Sequence, residues 1–358
     1  MKLIKHYIVY SILSLLALTG CDVHEFPEER EKLVSYMLHL DFDTEIPLYK
    51  EIAYSRNSES KGLADTHDIR YIVNAYRSDE NGRSDSRMAT STFVLTRPYT
   101  SGLNCSVPLE LNEGHYTFRV WTDYVDAGSS SDKYYDTRNF AEIILTDREN
   151  HPGSNDCREA FRGITTAEVT DNAGQSPMTV EMKRPMGKFK FVSTDVDAFY
   201  SRVVKEIMEK RGLSLEDESE SDSRTIYDQL LKSVDITDYK VVFRYNIFMP
   251  CAFNMFTDKP ADSWTGMSFN SQMHKENESE MNLGFDYIFV NGSETTLSIS
   301  VEIYNADGEL ISSSNPVDVP IVRNKLTVVK GAFLTSKASG GVAINPGFDG
   351  PDYNIEIK

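Results

Sequence analysis

Apolar and polar residues alternate along most of this chain. In LVSYMLHLDF (33–42), IRYIVNAY (69–76), HYTFRVWT (115–122), MTVEMK (178–183), GKFKFV (187–192), YKVVFRYNIF (239–248) and TTLSISVEIY (295–304) the alternation has period two. That is the pattern of strands with one face on a core. These segments are rich in Val, Ile, Tyr, Phe and Thr, which fit a pleated, half-buried surface. Asn81-Gly82, Asn112-Glu113-Gly114, Asn291-Gly292 and Asp307-Gly308 separate them as turn signals. Many short strands with such punctuation predict antiparallel β-sandwiches.

One region changes period. In DAFYSRVVKEIMEKRGL (197–213), Phe199, Val203, Val204, Ile207 and Met208 recur at helical spacing, with Gly212 placed to end the helix. SLEDESESDS (214–223) has almost nothing to bury and reads as a loop, and RTIYDQLLKSV (224–234) as a short returning helix. The region 197–234 is therefore expected as a helical and acidic insertion packed on a sandwich. Arg184-Pro185 closes one strand and Gly187 opens another. The expected boundary divides residues 32–184, a first sandwich, from 185–358, a second.

The first twenty residues follow neither period. Lys2 and Lys5 precede a mostly apolar run from Ile8 to Leu18. That run is shorter than the ~20 residues a bilayer span needs and suits an exported signal peptide. It ends Leu18-Thr19-Gly20-Cys21, which resembles the lipobox of bacterial lipoproteins. The resemblance implies cleavage before Cys21, fatty acylation of Cys21 and a membrane held through those acyl chains. Asp22, Glu25, Pro27, Glu28 and Glu29 make residues 21–31 an acidic tether.

Charge narrows the partners. The 358 residues carry 37 Lys and Arg against 55 Asp and Glu, a net charge of −18, and loss of Lys2 and Lys5 with the signal takes it to −20. Phosphate recognition needs clustered cations, so a nucleic-acid partner is not expected. With Cys21 lipidated, Cys105, Cys157 and Cys251 remain. An odd number cannot complete a disulfide framework, so Cys105 and Cys157 either bridge or, with Cys251, stay as buried thiols.

Catalytic chemistry is not signalled. The seven histidines are scattered, and HExxH, GxSxG, P-loop and GxGxxG-helix patterns are absent. Carboxylates such as Asp41/Asp43 or Glu216/Asp217/Glu218 lie close together, as they must in so acidic a chain. Neither an enzyme nor a cofactor is expected. In DYVDAGSSSDKYYD (123–136), Asp123, Asp126 and Asp132 are the only calcium candidates, without EF-hand spacing. Trp121, Tyr124 and Trp264, with Tyr134 and Tyr135, would stack on sugar rings if they shared a surface.

Three stretches carry a wider likeness. DIRYIVNAYRSDENGR (68–83), LELNEGHYTFRVWTDYVD (109–126) and VPIVRNKLTVVKGAFLT (319–335) resemble fimbrillin-like lipoproteins of the Bacteroidetes. The resemblance implies an all-β chain of two tandem transthyretin- or immunoglobulin-like sandwiches on the outer membrane, facing the cell surface. Family members are stalk, tip, anchor or accessory subunits of fimbriae, and stalk subunits add a strand to a neighbour's open sheet once proteolysis after an arginine has removed an N-terminal strand. Here the only arginine between Cys21 and the first strand is Arg30, and residues 21–30 make a poor strand. The expected role is a non-enzymatic anchor or accessory subunit that contacts fimbrial proteins. The alternative is a surface glycan-binding lipoprotein that uses Trp121, Tyr124 and Trp264.

Overall fold

The computed structural model describes residues 33–46, 66–84, 86–171, 177–212, 220–336, 344–346 and 354–357. Cys21, Leu18, Thr19, Gly20, the tether and the acidic stretch 214–219 lie outside the described residues. The chain is all-β with a helical insertion, as expected.

The first half builds two sheets. Strand β1 (Leu33–Phe42) buries Val34, Tyr36, Leu38, Leu40 and Phe42 and turns the alternate residues outward. β2 (His67–Arg77), β3 (Ser91–Pro98), β4 (Cys105–Asn112) and β5 (Gly114–Asp126) follow. Next come β6 (Tyr135–Asp136), β7 (Ile143–Leu145), β8 (Phe161–Val169) and β9 (Met178–Met182). One sheet has the order β4-β1-β9, with β1 antiparallel to β4 and parallel to β9. The other is β3-β2-β5-β8. Between them lies a core in which the Tyr36 and Phe118 rings stack and Phe42 meets Phe161 edge-on.

The second half opens with β10 (Met186–Ser193) and the helices α1 (Val196–Lys210) and α2 (Glu220–Ser233). The stretch expected as a loop to residue 223 is thus helical from Glu220. β11 (Lys240–Tyr245), β12 (Met249–Asn254), β13 (Lys259–Trp264), β14 (Ser268–Gln272), β15 (His274–Lys275) and β16 (Met281–Phe289) come next. Then follow β17 (Glu294–Tyr304), β18 (Leu310–Ser313), β19 (Val317–Val322), β20 (Leu326–Gly331), β21 (Ile344–Pro346) and β22 (Asn354–Ile357). One sheet runs β15-β16-β10-β20-β22-β21; the facing one runs β14-β11-β17-β18, with β19 also on β17. Phe189, Phe191, Phe243 and Phe269 fill the space between, the last two rings stacked at 4.7 Å.

α1 buries Phe199, Val203, Val204 and Met208. Arg202 fastens it to the sandwich by donating to the carbonyls of Ile311 and Leu334. Asp195, just before the helix, accepts from the Leu334 and Thr335 amides.

The halves are not independent bodies joined by a string. β7 pairs with β12, Ile143 opposite Phe253 and Ile144 opposite Ala252, in a sheet ordered β13-β12-β7-β6. Tyr135, Phe140, Ile143, Leu145 and Ala160, all before residue 184, belong to the second half's core. A chain beginning at Met186 would expose the apolar surface these side chains cover. Residues 186–358 alone are expected to give a poorly dispersed amide NMR spectrum and no cooperative unfolding transition; a dispersed spectrum would show that 135–160 is dispensable.

Candidate functional site

The junction between the halves is built on the outward face of β2 and β5. β5 is the central strand of its sheet, and period two sends Tyr116, Phe118, Val120, Thr122 and Tyr124 to one face and Arg119, Trp121 and Asp123 to the other. An uncovered outer face would leave Trp121 in water. Instead Trp121 is fully buried, edge-on to Tyr135 and against Phe253 and Phe289.

The register sets Arg70 directly opposite Asp123 and Ile72 opposite Trp121. Arg70 donates through Nε to Asp123 Oδ1 at 2.9 Å and through Nη2 to Oδ2 at 2.6 Å. Its Nη1 donates to the Ser130 carbonyl and to Asp132 Oδ1 at 2.8 Å. Trp121 Nε1 completes the cluster by donating to Asp123 Oδ2. Burial pushes the Asp123 carboxyl up, and the bidentate guanidinium works against that push.

The three calcium candidates of 123–136 are engaged by cations of the chain itself. Asp123 and Asp132 are both on Arg70, and Asp126 is on Lys133. Among the described residues these carboxylates do not gather into a group that could hold a metal ion. The three aromatics of the glycan reading do not meet either. Trp121 and Tyr124 are buried on opposite faces of β5, and Trp264, on β13, is half-buried with the Arg148 guanidinium 5.7 Å from its ring centre. Odd and even positions of one strand cannot line one surface.

Further arginines join the halves. Arg119 donates to the Met255 carbonyl at 2.6 Å and lies over the Phe256 ring. Arg162 of β8 and Arg323 of the β19–β20 turn converge on Asp258 Oδ2 at 2.9 and 2.8 Å. Arg184 donates to the carbonyls of Asp43 and Thr44 and to Asn324 Oδ1, and pairs with Glu159. Nothing in the sequence marks these residues: Arg119 and Arg162 stand at outward positions of regular strands, and Arg184 and Arg323 in connections between strands.

A second buried cluster lies inside the second half. Asp286 accepts from His151 Nε2 at 2.6 Å and from Tyr245, and pairs with Arg158. His151 and Asp286 have the atoms of an acid–base pair, but their side chains are 0 and 1% exposed, so a substrate does not reach them. Burial lowers the His151 pKa, with the Arg158 charge adding to it. The neutral ring protonated at Nε2 fits the position of Nδ1, which has no partner. Burial alone would raise the Asp286 carboxyl, but Arg158, His151 and Tyr245 outweigh it and hold it at about 2.

Both shifts mean that the unfolded chain binds more protons on acidification than the folded one. The stability they contribute is complete above neutrality. It falls first as the unfolded His151 titrates below about 6.5, then as pH drops from the usual aspartate value of 3.8 towards 2. Urea midpoints measured against pH are expected to decline below 6.5 in the native chain and to decline less steeply between 6.5 and 5 in His151→Gln, where His67, also lowered by burial, still contributes; an unchanged slope would remove His151 from this role.

The remaining thiols are unpaired. Cys105, Cys157 and Cys251 are free and buried, and burial pushes the last two up to about 12. A thiol reagent is expected to label all three only with unfolding, as read by mass spectrometry; labelling in native buffer would contradict this burial.

The Arg70 cluster makes a sharper prediction. Arg70→Leu leaves Asp123 buried without its cation and is expected to cost ~3–5 kcal/mol in urea unfolding, whereas Arg70→Leu with Asp123→Leu recovers most of the loss. Equal losses in the single and double variants would mean that the charge pair is not what fails.

No curated protein matches this chain. Among solved structures it is similar to the fimbrial anchor protein Mfa2 of Porphyromonas gingivalis, at 9% identity and TM-score 0.34, over 79% of this chain and 82% of that one. It is similar to a candidate cell adhesion protein of Bacteroides eggerthii at 12% identity and TM-score 0.39, over 91% and 95%. It is also similar to a candidate polysaccharide binding protein of Bacteroides thetaiotaomicron at 11% identity and TM-score 0.41, over 78% and 80%. The sequence profile of a family of unknown function, DUF6562, matches residues 31–358, and the chain belongs to that family.

Proposed function

We propose that this protein is a lipid-anchored surface adhesion protein of fimbrial anchor or accessory type, acting through contacts with other proteins. The observation that carries the reading is the place of β1. It begins at Leu33, three residues after Arg30. It lies between β4 and β9, hydrogen-bonded to both, with five apolar side chains in the core. Growth by strand exchange needs a groove that a departing strand has vacated. A cut after Arg30 would free the lipidated end and leave β1 in its sheet, so no groove would open. A subunit that keeps its strand and its lipid suits the base or flank of an assembly rather than its repeating shaft.

Exposed side chains supply contact surface for such a role. Ile247 and Phe248, consecutive in the β11–β12 connection, are 63% and 37% exposed. Cys21 would hold the chain at the outer membrane, and residues 22–31 would give it reach.

The test is isolation of the protein from its native membrane after metabolic labelling with an alkynyl fatty acid, beside Cys21→Ala. The native chain is expected to take the label, stay in the membrane fraction and bring fimbrillin-like subunits with it, while Cys21→Ala is unlabelled and leaves the membrane. Labelled protein recovered without fimbrial subunits would refute the fimbrial role and leave the anchor standing.

A further inference from the structure

The second half covers the outward face of the β3-β2-β5-β8 sheet only in part. It seals Trp121 and leaves Ile72 at the edge of the covered area, 6% exposed, while the β3 side stays open. There the sheet and the 130–138 loop enclose a pocket of ≈ 480 Å³. Its size falls in the ~300–1,000 Å³ range of small-molecule sites, and all of its lining residues come from the first half.

The pocket wall is polar, and each of its charges is paired. Arg70, 3% exposed, faces it between Asp123 and Asp132, and Arg138 at the rim is paired with Asp136. With two guanidinium groups against three carboxylates, an anion entering here would meet no unpaired cation. Hydrogen-bonding capacity remains, however. Arg70 uses four of its five N–H groups, two on Asp123, one on Ser130 and one on Asp132. Asn74 accepts from Thr92 at 2.7 Å and gives one amide hydrogen to Tyr76, which leaves the other. The hydroxyls of Ser130 and Ser131 make no hydrogen bond among the described residues. Between these groups lie two aliphatic side chains, Ile72 and the 53% exposed Val94.

We infer that this pocket binds a neutral pyranose, the terminal sugar of a glycan chain. A pyranose has a rim of hydroxyls that both donate and accept, and a face of C–H groups. The rim matches the Arg70, Asn74, Thr92 and Ser131 groups, and the C–H face matches Ile72 and Val94. Because β3 is an edge strand, the rest of a chain has a way out to solvent past it. The site shares no residue with Trp121, Tyr124 or Trp264 acting as stacking platforms, and it does not depend on the fimbrial reading.

Saturation-transfer NMR with the methyl pyranosides of glucose, galactose, mannose and N-acetylglucosamine, and with methyl glucuronide, tests it on the Cys21→Ala chain lacking residues 1–20. At least one neutral methyl pyranoside is expected to bind with a Kd of ~1–10 mM, as a few hydrogen bonds to a single sugar would give. Ser131→Trp, at an exposed loop position, fills the pocket, and Thr92→Val removes a hydroxyl at constant shape. The first is expected to weaken binding at least ~10-fold and the second measurably, with both unfolding midpoints unchanged. No transfer to any neutral sugar, transfer equal in all three proteins, or preference for the glucuronide would each overturn the assignment.

Discussion

The structure depends on β5 being buried from both sides. A strand in a lone sandwich presents one apolar face and one wet one. β5 has Phe118 and Val120 in the first core and Trp121 against Phe253 and Phe289 of the second. Trp121 is the largest of the fully buried side chains, and aromatics of that size bury some 150–250 Å² each. Removing that contact would open a wet gap in the middle of the molecule rather than trim its surface. The pairing of β7 with β12 serves the same end, since it brings Ile143 and Leu145 under the second core.

Covering the outward face has an electrostatic consequence. Side chains that would have been solvated are enclosed, and each must find a partner. Arg70 finds Asp123 and Asp132, Arg162 and Arg323 share Asp258, and Arg119 caps the Met255 carbonyl. Pairs of this kind add little net stability over apolar packing, because desolvation offsets most of the attraction. Their geometric demands are strict, though. A bidentate fork and a shared carboxylate accept one arrangement of the two sheets where a greasy interface accepts several. The arginines thus fix how the halves sit, while the aromatics hold them there.

Much of this was legible in the sequence. The alternation in 33–42 and 295–304 placed two strands to within a residue, because one face of each is packed on a core while the other carries polar residues, even where that face partly closes over, as at Ser300. The helical spacing of Phe199, Val203 and Met208 survived for the same reason. What was missed lies where that logic fails. β6 and β7 are two and three residues long, too short to show a period; β7 is a strand through its pairing with the distant β12, and β6 through its pairing with β7. The acidic loop invited a calcium reading because the cation that satisfies Asp123 stands 53 residues away. The signal that was available is parity: Trp121 and Asp123 lie opposite Phe118 and Val120, and a tryptophan on a supposedly wet face points to something that covers it.

The same constraint shapes what the protein offers to partners. A chain whose halves interlock through one doubly buried strand has few free faces, and those left are edges, loops and the uncovered part of the β2–β3 surface. β1 is hydrogen-bonded within its sheet on both sides, to β4 and to β9. Recognition then has to use preformed surface, such as the apolar Ile247–Phe248 step or the polar recess beside β3. Preformed surface binds without the ordering cost of a segment that folds on contact.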